Sequence, residues 1–207
     1  MRMEEIIDTV AQRVEQEINN SFEIEASGRH IHLSREAVDA LFGEGYELTP
    51  KKYLSQPGQY AATERISIIG PSGVFHNVSI LGPVRKESQV EVSLTDARAL
   101  GAKAKLRLSG DTKGTAGIIL MNGSKIYVMD HGLIVAKRHI HVNEKDAKKL
   151  NVTDQEVVKV QVNSERPLIF DDVVVRISPK FRTFMHIDYD EANACGFTKG
   201  TRGRILR

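Results

Sequence analysis

The chain has 207 residues, 41% of them hydrophobic and 27% charged, with a formal net charge of +2. This composition describes an ordinary globular protein with one large core or two small ones, and it excludes a strongly basic nucleic-acid binder. No run approaches ~18 apolar residues, which excludes a membrane-spanning helix; the acidic N-terminus is not a secretory signal, and the single Cys195 excludes an internal disulfide and fits a reducing cytoplasm.

Residues 3–18 read as an amphipathic helix, with Ile6, Ile7, Val10, Val14 and Ile18 on one stripe. Such a helix packs on its own domain or a dimer partner; the alternative is a detachable helix that docks on a shell or partner protein. Short strands with turn signals follow: Arg65–Ile69, Val74–Leu81, Gln89–Ser93, Gly117–Met121, Lys125–Met129, Gly132–Ala136, Glu156–Val162 and Val173–Ile177. Asn122-Gly123 marks a hairpin. Only short helices interrupt, at Ser34–Phe42, Thr95–Leu100, Asn143–Leu150 and Asp190–Ala194. The expected fold is mainly β with short helices, as two pseudo-symmetric small β-barrels.

An internal repeat supports two barrels. Arg29-His30-Ile31-His32 recurs as Arg138-His139-Ile140-His141, each copy followed by a polar residue (Ser34, Asn143) and a helical run. Val90-Glu91-Val92 aligns with Met185-His186-Ile187, which places Glu91 opposite His186. The expected division is an N-terminal helix over 1–21, a first half over 22–104, bridging strands over 105–130, a second half over 131–197 and a basic tail over 198–207.

Strand side chains alternate faces, so each His-x-His pair presents two imidazoles on one side. His30, His32 and Glu91 form one candidate metal set; His139, His141 and His186 form the other. Three protein donors leave a position open, the catalytic rather than the structural pattern for zinc. Arg85 precedes Glu91 by an even number of residues, so a continuous strand would place it on the donor face, where its fork could bind an anion. Arg29 and Arg138 point away from that face and read as braces paired with acids. His76 and His131 read as surface residues. Cys195 has acidic neighbours that disfavour a thiolate, so it reads as a packed structural cysteine.

At these residues the chain resembles the phosphate propanoyltransferase (phosphotransacylase) family. The resemblance is carried by Ser27–Ser34, Leu54–Ala62, Gly82–Ser93, Ala136–His141 and Met185–Asp188, and covers about residues 24–197. Gly28 stands where the family often has Asn, and Ser88 where it often has Thr. The resemblance implies two β-barrel domains and two Zn2+ ions, one on His30, His32 and Glu91 and one on His139, His141 and His186. It implies that Arg85 binds phosphate and that Gln56, Gln59, Gln89, Ser109 and Arg176 line the active site. The implied reaction moves a propanoyl or acetyl group reversibly between coenzyme A and phosphate; direct phosphate attack is expected separately, because Cys195 is a poor nucleophile and no G-x-S-x-G motif is present. The implied partners are acyl-CoA, CoA and phosphate, with a homodimer and a microcompartment shell reached through the N-terminal helix. The implied location is the bacterial cytoplasm or a microcompartment within it. The basic tail is either a solvated end or a contact for CoA phosphates. A binuclear zinc hydrolase and a non-enzymatic, metal-stapled module are the competing readings.

Overall fold

A computed structural model of the chain describes residues 2, 3, 5–11 and 20–206. In chain order the elements are α1 (residues 5–11), β1 (Ser21–Ser27), β2 (His30–His32), α2 (Arg35–Phe42), β3 (Pro50–Tyr53), β4 (Tyr60–Ile69), β5 (Val74–Gly82), β6 (Gln89–Glu91), α3 (Leu94–Leu100) and β7 (Lys105–Arg107). They continue with β8 (Ala116–Asn122), β9 (Lys125–Ala136), β10 (His139–Val142), α4 (Glu144–Leu150), β11 (Val157–Asn163), β12 (Leu168–Ile177), β13 (Phe184–Asp188), α5 (Tyr189–Ala194) and β14 (Arg202–Leu206). The chain forms two compact units.

The central unit spans Ser27–Lys137 with Asp188–Asp190. Its strands close a six-membered ring in the order β4-β5-β2-β6-β9-β8, with β3 added on β4 and β7 on β9. The ring encloses an apolar core that includes Ile31, Leu41, Ile68, Ile80, Leu120 and Leu133. The terminal unit holds Arg138–Ile187, Glu191–Arg207 and the chain up to Ala26. Its ring is also closed and six-stranded, in the order β1-β13-β10-β12-β11-β14. Its core includes Phe22, Ile140, Val160, Val173, Val175 and Met185. Closure leaves neither ring with a free edge.

The two rings repeat one local plan. β2 pairs in parallel with β5 and antiparallel with β6; β10 pairs in parallel with β12 and antiparallel with β13. In both, the central isoleucine (Ile31, Ile140) is fully buried in the ring core, so the histidines on either side project from the opposite face. The polar residue two places after each pair caps the next helix. Ser34 accepts from the Ala37 amide, and Asn143 from the Lys145 and Asp146 amides.

Several boundaries differ from the sequence expectation. β1 joins the terminal ring, so the first half does not begin at residue 22. The segment 105–130 is not a bridge: β7, β8 and all of β9 belong to the central unit, and β9 runs unbroken through Asp130 and His131. β6 ends at Glu91 because Ser93 is the N-cap of α3 in a capping box with Asp96. The segment expected as a basic tail carries β14, which pairs with both β1 and β11 and closes the ring. The hairpin signal holds: Asn122 pairs with Lys125 across the turn Gly123-Ser124.

The described part of the N-terminal helix is exposed, with Ile6, Ile7 and Val10 open to solvent. None of residues 5–11 is buried; Val14 and Ile18 lie outside the described residues. Among the described residues no helix is long and apolar enough to cross a membrane.

Candidate metal centres

His30 and Glu91 are register partners across β2 and β6, and His32 follows on the same face of β2. One donor atom from each of these three buried side chains lies within 4.8 Å of the others. The tautomers follow from the hydrogen bonds. His30 Nδ1 lies 2.9 Å from the Gly28 carbonyl and His32 Nδ1 3.2 Å from the Leu81 carbonyl. A carbonyl only accepts, so each Nδ1 carries the proton and each Nε2 of the neutral ring offers its lone pair. Both Nε2 atoms face the Glu91 carboxylate, at 3.4 Å for His30 and 3.8 Å for His32. Two imidazole lone pairs and a carboxylate oxygen converging in a buried place form a donor set that calls for a cation, and zinc accepts this set.

The charges reinforce one another. Burial raises the cost of ionising Glu91, but the two histidines outweigh it and hold the carboxyl well below the usual carboxylate range. Burial works against a charged His30, yet the neighbouring Glu91 moves its pKa up on balance. Burial, His30 and Arg85 push His32 down to about 3, so it is neutral and ligand-competent at neutral pH.

In the terminal unit His139 and His186 are register partners across β10 and β13. Their position reproduces the His30–Glu91 pair, as the repeat alignment expects. With His141 they again place three donor atoms within 4.8 Å. His141 Nδ1 and His186 Nε2 are 3.2 Å apart, and the Phe181 ring stacks on His141 at 4.0 Å between centroids. Glu25 on β1 reaches to 3.7 Å from His186 Nδ1. A carboxylate behind a ligating histidine orients the ring and raises its basicity. Three imidazoles with such a partner also fit zinc.

Arg85 reaches the first centre by a different route from the one expected. The strand does not run through from Arg85 to Glu91: Arg85 forms an isolated bridge with Ser34, a bend follows, and β6 begins only at Gln89. Strand parity therefore does not apply. The guanidinium instead donates to Ser109 Oγ at 3.2 Å, and Ser109 donates to Glu91 Oε1 at 2.8 Å. Gln89 is buried beside them and donates to Glu91 Oε1 at 2.6 Å. Arg176, half-buried on β12, is the register partner of His141. Gln56 is buried and Gln59 half-buried on the turn between β3 and β4.

The paired arginines are braces, as expected. Arg29 donates to Asp96 at 2.6 Å and lies 4.0 Å over the Phe75 ring. Arg138 donates to Glu191 at 2.8 Å and lies 5.3 Å over Phe170. His76 and His131 are exposed, bonded to Ser67 and near Glu87 respectively. Sequence reasoning missed the Gly28 and Leu81 carbonyls, because backbone acceptors leave no residue-type signal. It missed Glu25 because β1 was assigned to the other half.

A family model described as phosphate propanoyltransferase matches residues 23–198. A phosphate propanoyltransferase of Enterococcus faecalis is 62% identical over 205 residues, covering 99% of this chain and 97% of the relative. One from Listeria monocytogenes is 62% identical over 190 residues, covering 92% and 89%. One from Clostridioides difficile is 56% identical over 205 residues, covering 99% and 97%. The fold is a pair of six-stranded barrels, each carrying a donor triad, and the matching family and relatives make the protein a transferase enzyme. The chain belongs to the phosphate propanoyltransferase family.

Proposed function

We propose that the protein transfers a short acyl group, propanoyl or acetyl, reversibly between coenzyme A and inorganic phosphate, with the donor triad of each unit serving as a metal site. The observation that carries this reading is the pair of triads at matching register positions, the first of them tied through Ser109 to Arg85, within a chain matched over residues 23–198 by the family model.

In this reading His30, His32 and Glu91 hold one zinc ion and His139, His141 and His186 a second. Zinc so held supplies Lewis acidity that offsets phosphate charge and favours departure of a thiolate. Arg85 offers a planar fork of donors to phosphate oxygens, and its bond to Ser109 limits the conformations it must lose on binding. A phosphate oxygen attacks the thioester carbonyl carbon, the carbon–sulfur bond breaks, and the CoA thiolate leaves. Holding both substrates turns a collision into an oriented attack.

Direct transfer is supported by the state of Cys195. Its side chain is fully buried in the terminal core, and burial together with Glu191 pushes the thiol pKa up. A buried, protonated thiol is a poor acyl acceptor. The sequence also lacks a G-x-S-x-G nucleophile elbow.

The test is thiol release from propanoyl-CoA and acetyl-CoA, with and without phosphate, on zinc-loaded and chelated protein. The expected result is release that requires both phosphate and metal, with acyl phosphate as the second product. Release without phosphate would identify a hydrolase and overturn the proposal.

A further inference from the structure

Gln89 is 1% exposed, so each of its polar atoms must be accounted for inside the protein. Its oxygen end is settled by the Gly110 amide, which donates to Oε1 at 2.7 Å. The amide nitrogen therefore faces Glu91 Oε1 at 2.6 Å and Ser109 Oγ at 3.0 Å, one hydrogen for each. Ser109 in turn has one hydrogen and two lone pairs. It donates to Glu91 Oε1 and accepts from Gln89 and Arg85. One carboxylate oxygen, Oε1, thus carries two donors from protein side chains and lies 3.8 Å from His32 Nε2, while the other, Oε2, has neither of those donors and lies nearer a histidine, 3.4 Å from His30 Nε2.

The loop that supplies Ser109 and Gly110 is itself pinned. Thr112 and Thr115 are buried, Thr112 donates to Glu87, and Thr115 Oγ1 accepts from the Gly132 amide. The position is also diagnostic by comparison within the chain. Gln89 is the register partner of His32, and the corresponding partner of His141 is Phe184. An amide stands at this register position only where the third donor is a carboxylate, whose two oxygens must be told apart.

We propose that Gln89 and Ser109 form a positioning pair that holds Glu91 by one oxygen and presents the other as a metal donor, so that Gln89 acts through Glu91 and does not touch substrate. This rests on the reading of His30, His32 and Glu91 as metal donors. Ser109 has a second task, because the same hydroxyl anchors Arg85; loss of that hydroxyl removes a direct partner of both Glu91 and Arg85, whereas Gln89 bonds Glu91 directly and touches Arg85 only by way of Ser109, which keeps its own bond to the guanidinium.

The experiment is zinc binding to the full chain, by competition with a chromophoric chelator, on wild type, Gln89→Leu, Ser109→Ala and Ser109→Thr, with KM for phosphate measured in parallel. Removing a second partner of a metal ligand weakens metal binding ~10–100-fold. Gln89→Leu is expected to weaken one zinc equivalent by that factor, leave the other unchanged and leave the phosphate KM unchanged. Ser109→Ala is expected to weaken the same equivalent and also to raise the phosphate KM, and Ser109→Thr, which keeps the hydroxyl, to restore both. Should Gln89→Leu fail to fold, Ser109→Ala and its Thr rescue decide the matter alone, since Ser109 lies on a half-exposed loop. Unchanged zinc affinity with a raised phosphate or CoA KM in Gln89→Leu would make it a substrate contact and overturn the proposal. Loss of both zinc equivalents together would assign it a general structural role and do the same. Failure of the underlying reading is distinct: wild type itself would then bind no zinc at the first triad.

Discussion

Glu91 stands directly opposite His30 across the β2–β6 ladder, with Oε2 3.4 Å from Nε2 and no proton available between them once His30 Nδ1 donates to Gly28. Glu91→Gln keeps the shape of the side chain and removes its charge. The expected outcome is loss of one of two zinc equivalents by elemental analysis, with the second retained. His186→Ala should remove the other equivalent. Full zinc content in either variant would contradict the assignment of that residue as a donor.

The two arginine braces make a separate prediction. Arg29 and Arg138 occupy equivalent places, each between an aromatic ring on a neighbouring strand and an acid on the helix that follows the third-donor strand. A partly exposed ion pair contributes ~0–1 kcal/mol and a cation–π contact ~0.5–1 kcal/mol. Arg29→Ala should therefore lower unfolding free energy by about 0.5–2 kcal/mol in urea, with both zinc equivalents retained. A loss of zinc in this variant would mean that the arginine acts on the donor face after all.

The donor sets were legible because an internal repeat carries register with it. Once His30 aligned with His139, Glu91 and His186 had to occupy the same rung, and β2–β6 and β10–β13 pair that way. What was not legible is long-range closure. β1 is joined to β14 across nearly the whole chain, Ser21 facing Arg204, and no local pattern reports a partner so distant. β14 did carry a signal, since Gly203 is buried between the half-exposed Arg202 and Arg204, but three basic residues near a terminus look like a solvated end. The role of Gln89 was invisible for another reason. Residue type says that it is polar, and only its burial and the Gly110 amide say where its two ends point.

Cys195 offers a direct check on the absence of a covalent intermediate. It packs in the terminal core with its sulfur 3.5 Å from the Ala192 carbonyl. Cys195→Ala should leave kcat for thiol release within about twofold while lowering stability by about 1 kcal/mol. Mass spectrometry of wild type mixed with propanoyl-CoA, without phosphate, should show no acylated protein. An acyl adduct on Cys195, or on any other side chain, would replace direct attack with a two-step transfer.

The closing strand provides the sharpest structural prediction. Removing residues 202–207 deletes β14 and opens the terminal ring, leaving β1 and β11 with unpaired edges. The buried side of β14 is also tightly fitted, since a Cβ at Gly203 would come within 2.8 Å of Val160 and 3.1 Å of Ile24. The truncated chain should lose amide-exchange protection across β1, β11 and β12, and with it the zinc equivalent held by β10 and β13. The central ring, which contains none of these strands, should keep its protection and its own zinc. Gly203→Leu should act in the same direction by overpacking, at a cost of about 1–3 kcal/mol. Wild-type protection and two zinc equivalents in the truncated protein would return this segment to a solvated tail.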